Sequence, residues 1–256
     1  MTWWHTIILG LVEGVTEFLP ISSTGHLILV GQWLKLPDSE FLKSYAIVIQ
    51  LGAILAVVVL YWRRLLLSWE TIKRLIIAFV PTAVLGLIFY KFIKTYLLGN
   101  SLVVLIALLV GGLGLIIFEK IYQAKSVKVS DAQEVTYKQA WLIGLAQSIA
   151  MVPGVSRSAA TIVGGLALGL KRQTIVEFSF WLAVPTMAAA TLWDLLNSNW
   201  QVSSGQVGWL IIGLVVAFVV ALLSIKFLLK YIQNNNFIIF GVYRIILSLL
   251  FWYFIL

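Results

Sequence analysis

Long, uninterrupted apolar runs constrain this chain more than any other feature. Residues 44–62, 75–90, 101–118, 178–193 and 207–225 contain no charged side chain. Each approaches the roughly 20 residues that a helix needs to cross about 30 Å of hydrocarbon. A sixth run, 237–256, carries a single charge, Arg244. Composition agrees: of 256 residues 61% are hydrophobic and 11% charged, where soluble domains average about 45–50% and about 25%. The runs are continuous rather than alternating, which excludes an outer-membrane barrel. The chain has no cysteine, and so no disulfide, thiolate chemistry or Cys-ligated metal. Its first eleven residues have neither a basic n-region nor a small-residue cleavage site and are expected to be mature protein rather than a signal peptide.

Two further apolar regions, 2–34 and 138–170, are each broken near the middle. The breaks read Leu19-Pro20-Ile21-Ser22-Ser23-Thr24-Gly25 and Val152-Pro153-Gly154-Val155-Ser156-Arg157-Ser158. Proline and glycine end helices and hydroxyl residues cap the next one. The pieces on either side are too short to span, so each region is expected to be a re-entrant helix–turn–helix. At an offset of 134 residues Gly10 aligns with Gly144 and Ser22 with Ser156, the pattern of an inverted repeat. The expected fold is therefore all-α: a polytopic membrane helical bundle of about six full spans plus two re-entrant hairpins in an inverted-topology repeat. It forms one integral membrane domain, 1–256, with halves 1–118 and 138–256 joined by a cytoplasmic loop, 119–137. Of the 18 basic residues, simple alternation places twelve on one side and four on the other, with Arg157 and Arg244 inside membrane segments. The positive-inside rule then puts both termini outside. Trp3, Trp4, Trp62, Trp69, Trp200 and Trp252 are expected in the interfacial belts, His5 at the interface, and Arg244 snorkelling to the cytoplasmic side or paired with Glu177.

An ionisable residue at bilayer depth costs at least about 2.5–3.5 kcal/mol and is a functional hypothesis by default. Glu13 and Glu17 sit four apart on one helix face, in a hairpin that also holds Ser22, Ser23, Thr24 and His26. The second hairpin brings Gln147, Ser156, Arg157, Ser158 and Thr161. If the tips meet, two carboxylates, an imidazole, a guanidinium, hydroxyls and two half-helix N-termini converge, an ensemble suited to phosphate presented at membrane depth. Phosphate on a lipid is the natural ligand. The plain alternatives are a structural ion pair of Glu13 and Glu17 with Arg157, and hydroxyls that only cap helices.

The segments Glu13-Gly14-Val15-Thr16-Glu17-Phe18-Leu19-Pro20-Ile21-Ser22-Ser23-Thr24-Gly25-His26 and Pro153-Gly154-Val155-Ser156-Arg157-Ser158-Ala159-Ala160-Thr161 closely resemble the two signatures of the undecaprenyl-diphosphate phosphatase family, also known for bacitracin resistance. One departure is Ala159, where the family commonly has Gly. The resemblance implies hydrolysis of undecaprenyl diphosphate to undecaprenyl phosphate and inorganic phosphate, recycling the lipid carrier for peptidoglycan synthesis. It also implies a divalent cation (Mg or Ca) and a multi-pass protein of the bacterial inner membrane with its site facing the periplasm or outside. The expected roles are catalytic for Glu17, Ser23, His26 and Arg157, substrate-binding for Ser22, Thr24, Gln147, Ser156, Ser158 and Thr161, and metal-holding for Glu13 and Glu17. Ser23 as nucleophile with His26 as acid/base is one arrangement; His26 or water as nucleophile is the other. Expected partners are the lipid diphosphate and the bilayer, with a second copy of the chain as a homodimer partner and no nucleic acid. A transporter or flippase of a phosphorylated isoprenoid lipid is the rival reading.

Overall fold

The computed structural model describes residues 1–37, 39–97, 99–124, 134–197 and 204–255. Among these there is no strand. Ten α-helices follow one another: α1 (Trp3–Thr16), α2 (Ser23–Trp33), α3 (Glu40–Leu67), α4 (Trp69–Phe92), α5 (Ser101–Ala124), α6 (Tyr137–Ser148), α7 (Arg157–Ala167), α8 (Arg172–Asn197), α9 (Ser204–Tyr231) and α10 (Ile238–Ile255). Five of them, α3, α4, α5, α8 and α9, are long and apolar enough to cross a membrane. The sixth apolar run forms the shorter helix α10. Trp3, Trp4, Trp62, Trp69 and Trp252 are exposed, and Trp200 lies outside the described residues.

The broken regions fold as helix–turn–helix pairs. α1 has 14 residues and α2 has 11, so neither exceeds about 21 Å at 1.5 Å per residue. Thr2 caps α1 in a box with His5, and Thr136 caps α6 in a box with Gln139, each satisfying backbone donors that the first helical turn leaves unpaired. The turns are closed by special backbone. Ser22 has φ 72, costly for a residue with a Cβ, and caps α2 by accepting from the Gly25 amide. Gly154 has φ 94 and lies against α5, where a Cβ would meet the Val104 carbonyl oxygen at 2.6 Å. Ser156 caps α7 by accepting from the Ala159 amide.

Glycines then set who packs on whom. Gly14 on α1 faces α9, where a Cβ would lie 2.7 Å from the Ala217 carbonyl oxygen. Gly144 on α6 lies directly against the Ala78 carbonyl of α4. The first helix of each half thus packs on the fourth helix of the other. The tips meet: Ser158 Oγ donates to the Phe18 carbonyl at 3.0 Å and Ser156 Oγ to that of Leu19 at 3.5 Å. The segment expected as a loop from residue 119 begins as helix, because α5 runs on to Ala124. Glu119 is fully buried there, clamped by Arg172 and accepting the Phe237 amide at 3.0 Å. Residues 125–133 of that loop lie outside the described residues. Arg74 pairs with Glu134 at 2.7 Å, so the starts of α4 and α6 share one end of the bundle.

Arg244 corrects an expectation. It neither snorkels nor pairs with Glu177; it is 1% exposed and its hydrogen bonds end on the carbonyls of Pro20, Ala107 and Gly154. Packed against both tips, it meets main-chain carbonyls of the two turns and of α5 instead.

Candidate active site

Glu17 ends the last turn of α1 and is the centre of the site. Its Oε2 accepts from Ser23 Oγ at 2.5 Å, and its Oε1 accepts from Arg157 Nη2 at 2.8 Å. The carboxylate therefore joins the start of α2 to the start of α7. Arg157 is held from behind: Nη1 donates to the Ser179 carbonyl at 2.7 Å and to Ser179 Oγ at 3.3 Å. Ser179 is linked in turn to Thr161 Oγ1 at 2.6 Å, and the Phe18 ring lies 5.7 Å beneath the guanidinium. Among the described residues Arg157 Nε has no hydrogen-bond partner.

Glu17, Ser23 and Arg157 line one end of a cavity of about 550 Å³. Glu17, Ser22, Ser23, Thr24, Gln147, Ser156 and Arg157 all contribute to its wall. Because Ser22 and Ser156 cap α2 and α7, the positive ends of two helix dipoles sit at the cavity wall. Gln147 donates to Thr82 Oγ1 at 2.9 Å and to Thr186 Oγ1 at 3.2 Å. Away from this end the wall is mostly apolar, with Phe79, Leu87, Ile93, Met187 and Trp193 beside Gln50, Tyr90 and Asp194. The chemistry available is that of a hydroxyl oriented on a carboxylate, beside a guanidinium and unpaired helix N–H groups. It suits attack on a phosphoryl group.

The profile of the bacitracin resistance protein BacA family matches residues 6–250. The chain belongs to the BacA family. Curated relatives support this along their whole length. The undecaprenyl-diphosphatase of Sulfurihydrogenibium sp. is 53% identical over 99% of this chain and 100% of its own. That of Persephonella marina is 50% identical over 98% of both, and that of Aquifex aeolicus 47% over 98% of both. The chain is thus a multi-pass membrane protein of this family.

Four residues of the BacA signatures stand behind the cavity wall. Ser158 and Thr161 hold the tip and Arg157, as above. Glu13 is completely buried one turn before Glu17, its carboxyl beside that of Glu17. His26 faces α10: Nδ1 lies 2.7 Å from the Ser22 carbonyl oxygen and Nε2 2.8 Å from the Tyr243 hydroxyl, with the two rings stacked. Ser23 therefore meets Glu17. Ser179, Thr82, Thr186 and Tyr243 escaped the sequence reading. A lone hydroxyl inside an apolar run was the available signal at Ser179, but serine often bonds its own helix there.

Proposed function

We propose that this chain hydrolyses undecaprenyl diphosphate to the monophosphate and inorganic phosphate, recycling the carrier for peptidoglycan synthesis and so opposing bacitracin. The observation that carries this is the Ser23–Glu17–Arg157 unit at the polar end of an apolar cavity. Ser23 Oγ attacks the terminal phosphorus as its proton passes to Glu17, and the bond to the bridging oxygen breaks, leaving the lipid monophosphate. Arg157 and the N–H groups of α2 and α7 hold the charge that develops. Glu17 passes the Ser23 proton to the departing bridging oxygen, then takes a proton from the water that attacks the phosphoserine and returns it to Ser23 Oγ as phosphate leaves. The geometry favours Glu17 over His26 as the proton acceptor, because both imidazole nitrogens are engaged elsewhere.

A divalent cation belongs to the same proposal. Among the described residues no group of three or more His, Asp or Glu could hold a metal alone. Hard cations such as Mg²⁺ nevertheless bind through one or two carboxylates plus substrate phosphates, and Glu13 and Glu17 bring two buried carboxyls together one helical turn apart. Glu13 and Glu17 would hold the ion, which would neutralise charge on the diphosphate.

The six-span, re-entrant inverted repeat is supported by the reciprocal packing of Gly14 on α9 and Gly144 on α4, and by the paired caps Ser22 and Ser156. The outward-facing site is supported by the charge bias, and we place the protein in the bacterial inner membrane. The cavity wall reaches Tyr90 and Ile93 at the end of α4 and Trp193 and Asp194 near the end of α8, the side poor in basic residues. Broken helices in an inverted repeat favour a second reading, a lipid transporter. Purified protein in detergent, where no transport exists, should release phosphate from an isoprenyl diphosphate, stop on chelation and recover with Mg²⁺ or Ca²⁺. Binding without release would leave the transporter.

A further inference from the structure

No residue of α10 lines the cavity, yet two neighbours on it reach the hairpins. Arg244 Nη2 donates to the Gly154 carbonyl at 3.0 Å and the Ala107 carbonyl at 3.1 Å, and Nη1 to that of Pro20 at 3.5 Å. Pro20 lies in the first tip, Gly154 in the second and Ala107 within α5. One guanidinium thus ties both tips to a long helix. The two tip contacts are 134 residues apart, the repeat offset, and each falls three residues before a cavity residue: Ser23 after Pro20 and Arg157 after Gly154. Beside it, Tyr243 holds His26 in the first turn of α2.

The neighbourhood is cut to admit this side chain. A Cβ on Gly111 would collide with Nη2. Gly112 and Gly241 bring α5 and α10 together, a Cβ on either meeting the other's carbonyl oxygen at 2.7 Å. Every Arg244 hydrogen bond ends on a main-chain carbonyl rather than a carboxylate. A buried charge without a counter-ion is expensive, and small residues alone suffice to pack two membrane helices. Stability therefore does not account for the arginine. Its rigid planar fork suits the fixing of separate acceptors in one geometry.

We propose that Arg244 is a positioning residue that locks the two hairpin tips in register, so that Ser23 and Arg157 address the same phosphate. The proposal rests on the phosphatase reading. In Arg244→Met the acceptors lose their common donor, and kcat should fall about 100-fold, the scale of a 1 Å misplacement, with KM and melting temperature changing far less. Arg244→Lys should recover part of the loss. Gly111→Ala keeps the arginine but displaces it, and should reproduce the kcat defect. Nitroxides on cysteines at Val15 and Leu145, lipid-facing positions on the two hairpins, should give a narrow distance distribution that broadens in Arg244→Met. Folded variants with wild-type kcat and an unchanged distribution would overturn the proposal. Failure of both Arg244→Met and Gly111→Ala to fold would overturn it too, reducing Arg244 to a stabilising contact. If the wild-type protein released no phosphate, the phosphatase reading would fall and the distance measurement would still decide the positioning role.

Discussion

Glu17 receives one donor from its own hairpin and one from the other, Ser23 on one oxygen and Arg157 on the other. Groups acting as one unit lose activity together rather than independently. Ser23→Ala and Glu17→Gln should each lower kcat by about 10²–10⁴, and the double variant should be little worse than the poorer single one, measured as phosphate release. Equal loss in His26→Ala, with no further loss on adding Ser23→Ala, would return proton transfer to the imidazole. Arg157→Lys should abolish most activity while the protein stays folded, since lysine keeps the charge but cannot reach both Glu17 and Ser179 with a planar fork. Wild-type turnover in that variant would remove Arg157 from the phosphate site.

The helices are positioned by glycine contacts, and these make opposite predictions at different sites. Gly144→Ala would drive a methyl into the Ala78 carbonyl of α4, and Gly14→Ala one into that of Ala217 on α9. Each should cost about 1–3 kcal/mol through forced separation of the helices, read as a lower melting temperature in detergent. Gly31 on α2 has nothing within 4 Å of a built Cβ. Gly31→Ala should leave the melting point unchanged or raise it, because alanine has less backbone freedom to lose. A fall at Gly31 matching that at Gly144 would mean that close approach of a neighbouring backbone is not what sets the cost, since alanine is the better helix former. The breaks that separate α1 from α2 and α6 from α7 were readable from their Pro, Gly and Ser residues. The close approach of α6 to α4 was not, because a glycine in an apolar helix looks the same whether it faces lipid or another backbone.

At the scale of the molecule, the basic residues sort the helix ends, and the contacts Arg74–Glu134 and Arg172–Glu119 keep several of those ends together. With no native cysteine, single cysteines at Ser126 and Ser203, both outside the described residues, should report sidedness without background. An impermeant thiol reagent applied to intact cells, with any outer membrane permeabilised, should label 203 and spare 126. The reverse pattern would turn the cavity toward the cytoplasm, and equal labelling would mean dual insertion.

The amino-acid sequence by itself determined the helical membrane architecture, since each apolar run satisfies its own backbone hydrogen bonds within about four residues and needs no distant partner. It also marked the two broken hairpins and the polar residues worth explaining, because charge and hydroxyls are costly at that depth. Tertiary structure alone decided which of those residues meet. Ser23 is three residues from His26 and six from Glu17, yet its hydroxyl bonds Glu17, because the Pro20 turn and the strained Ser22 fold α2 back over the end of α1. Arg244 looked like a snorkelling cation until the rotation of α10 and the space at Gly111 turned it inward. Such choices depend on helix rotation and on contacts more than a hundred residues apart, which spacing along the chain does not encode.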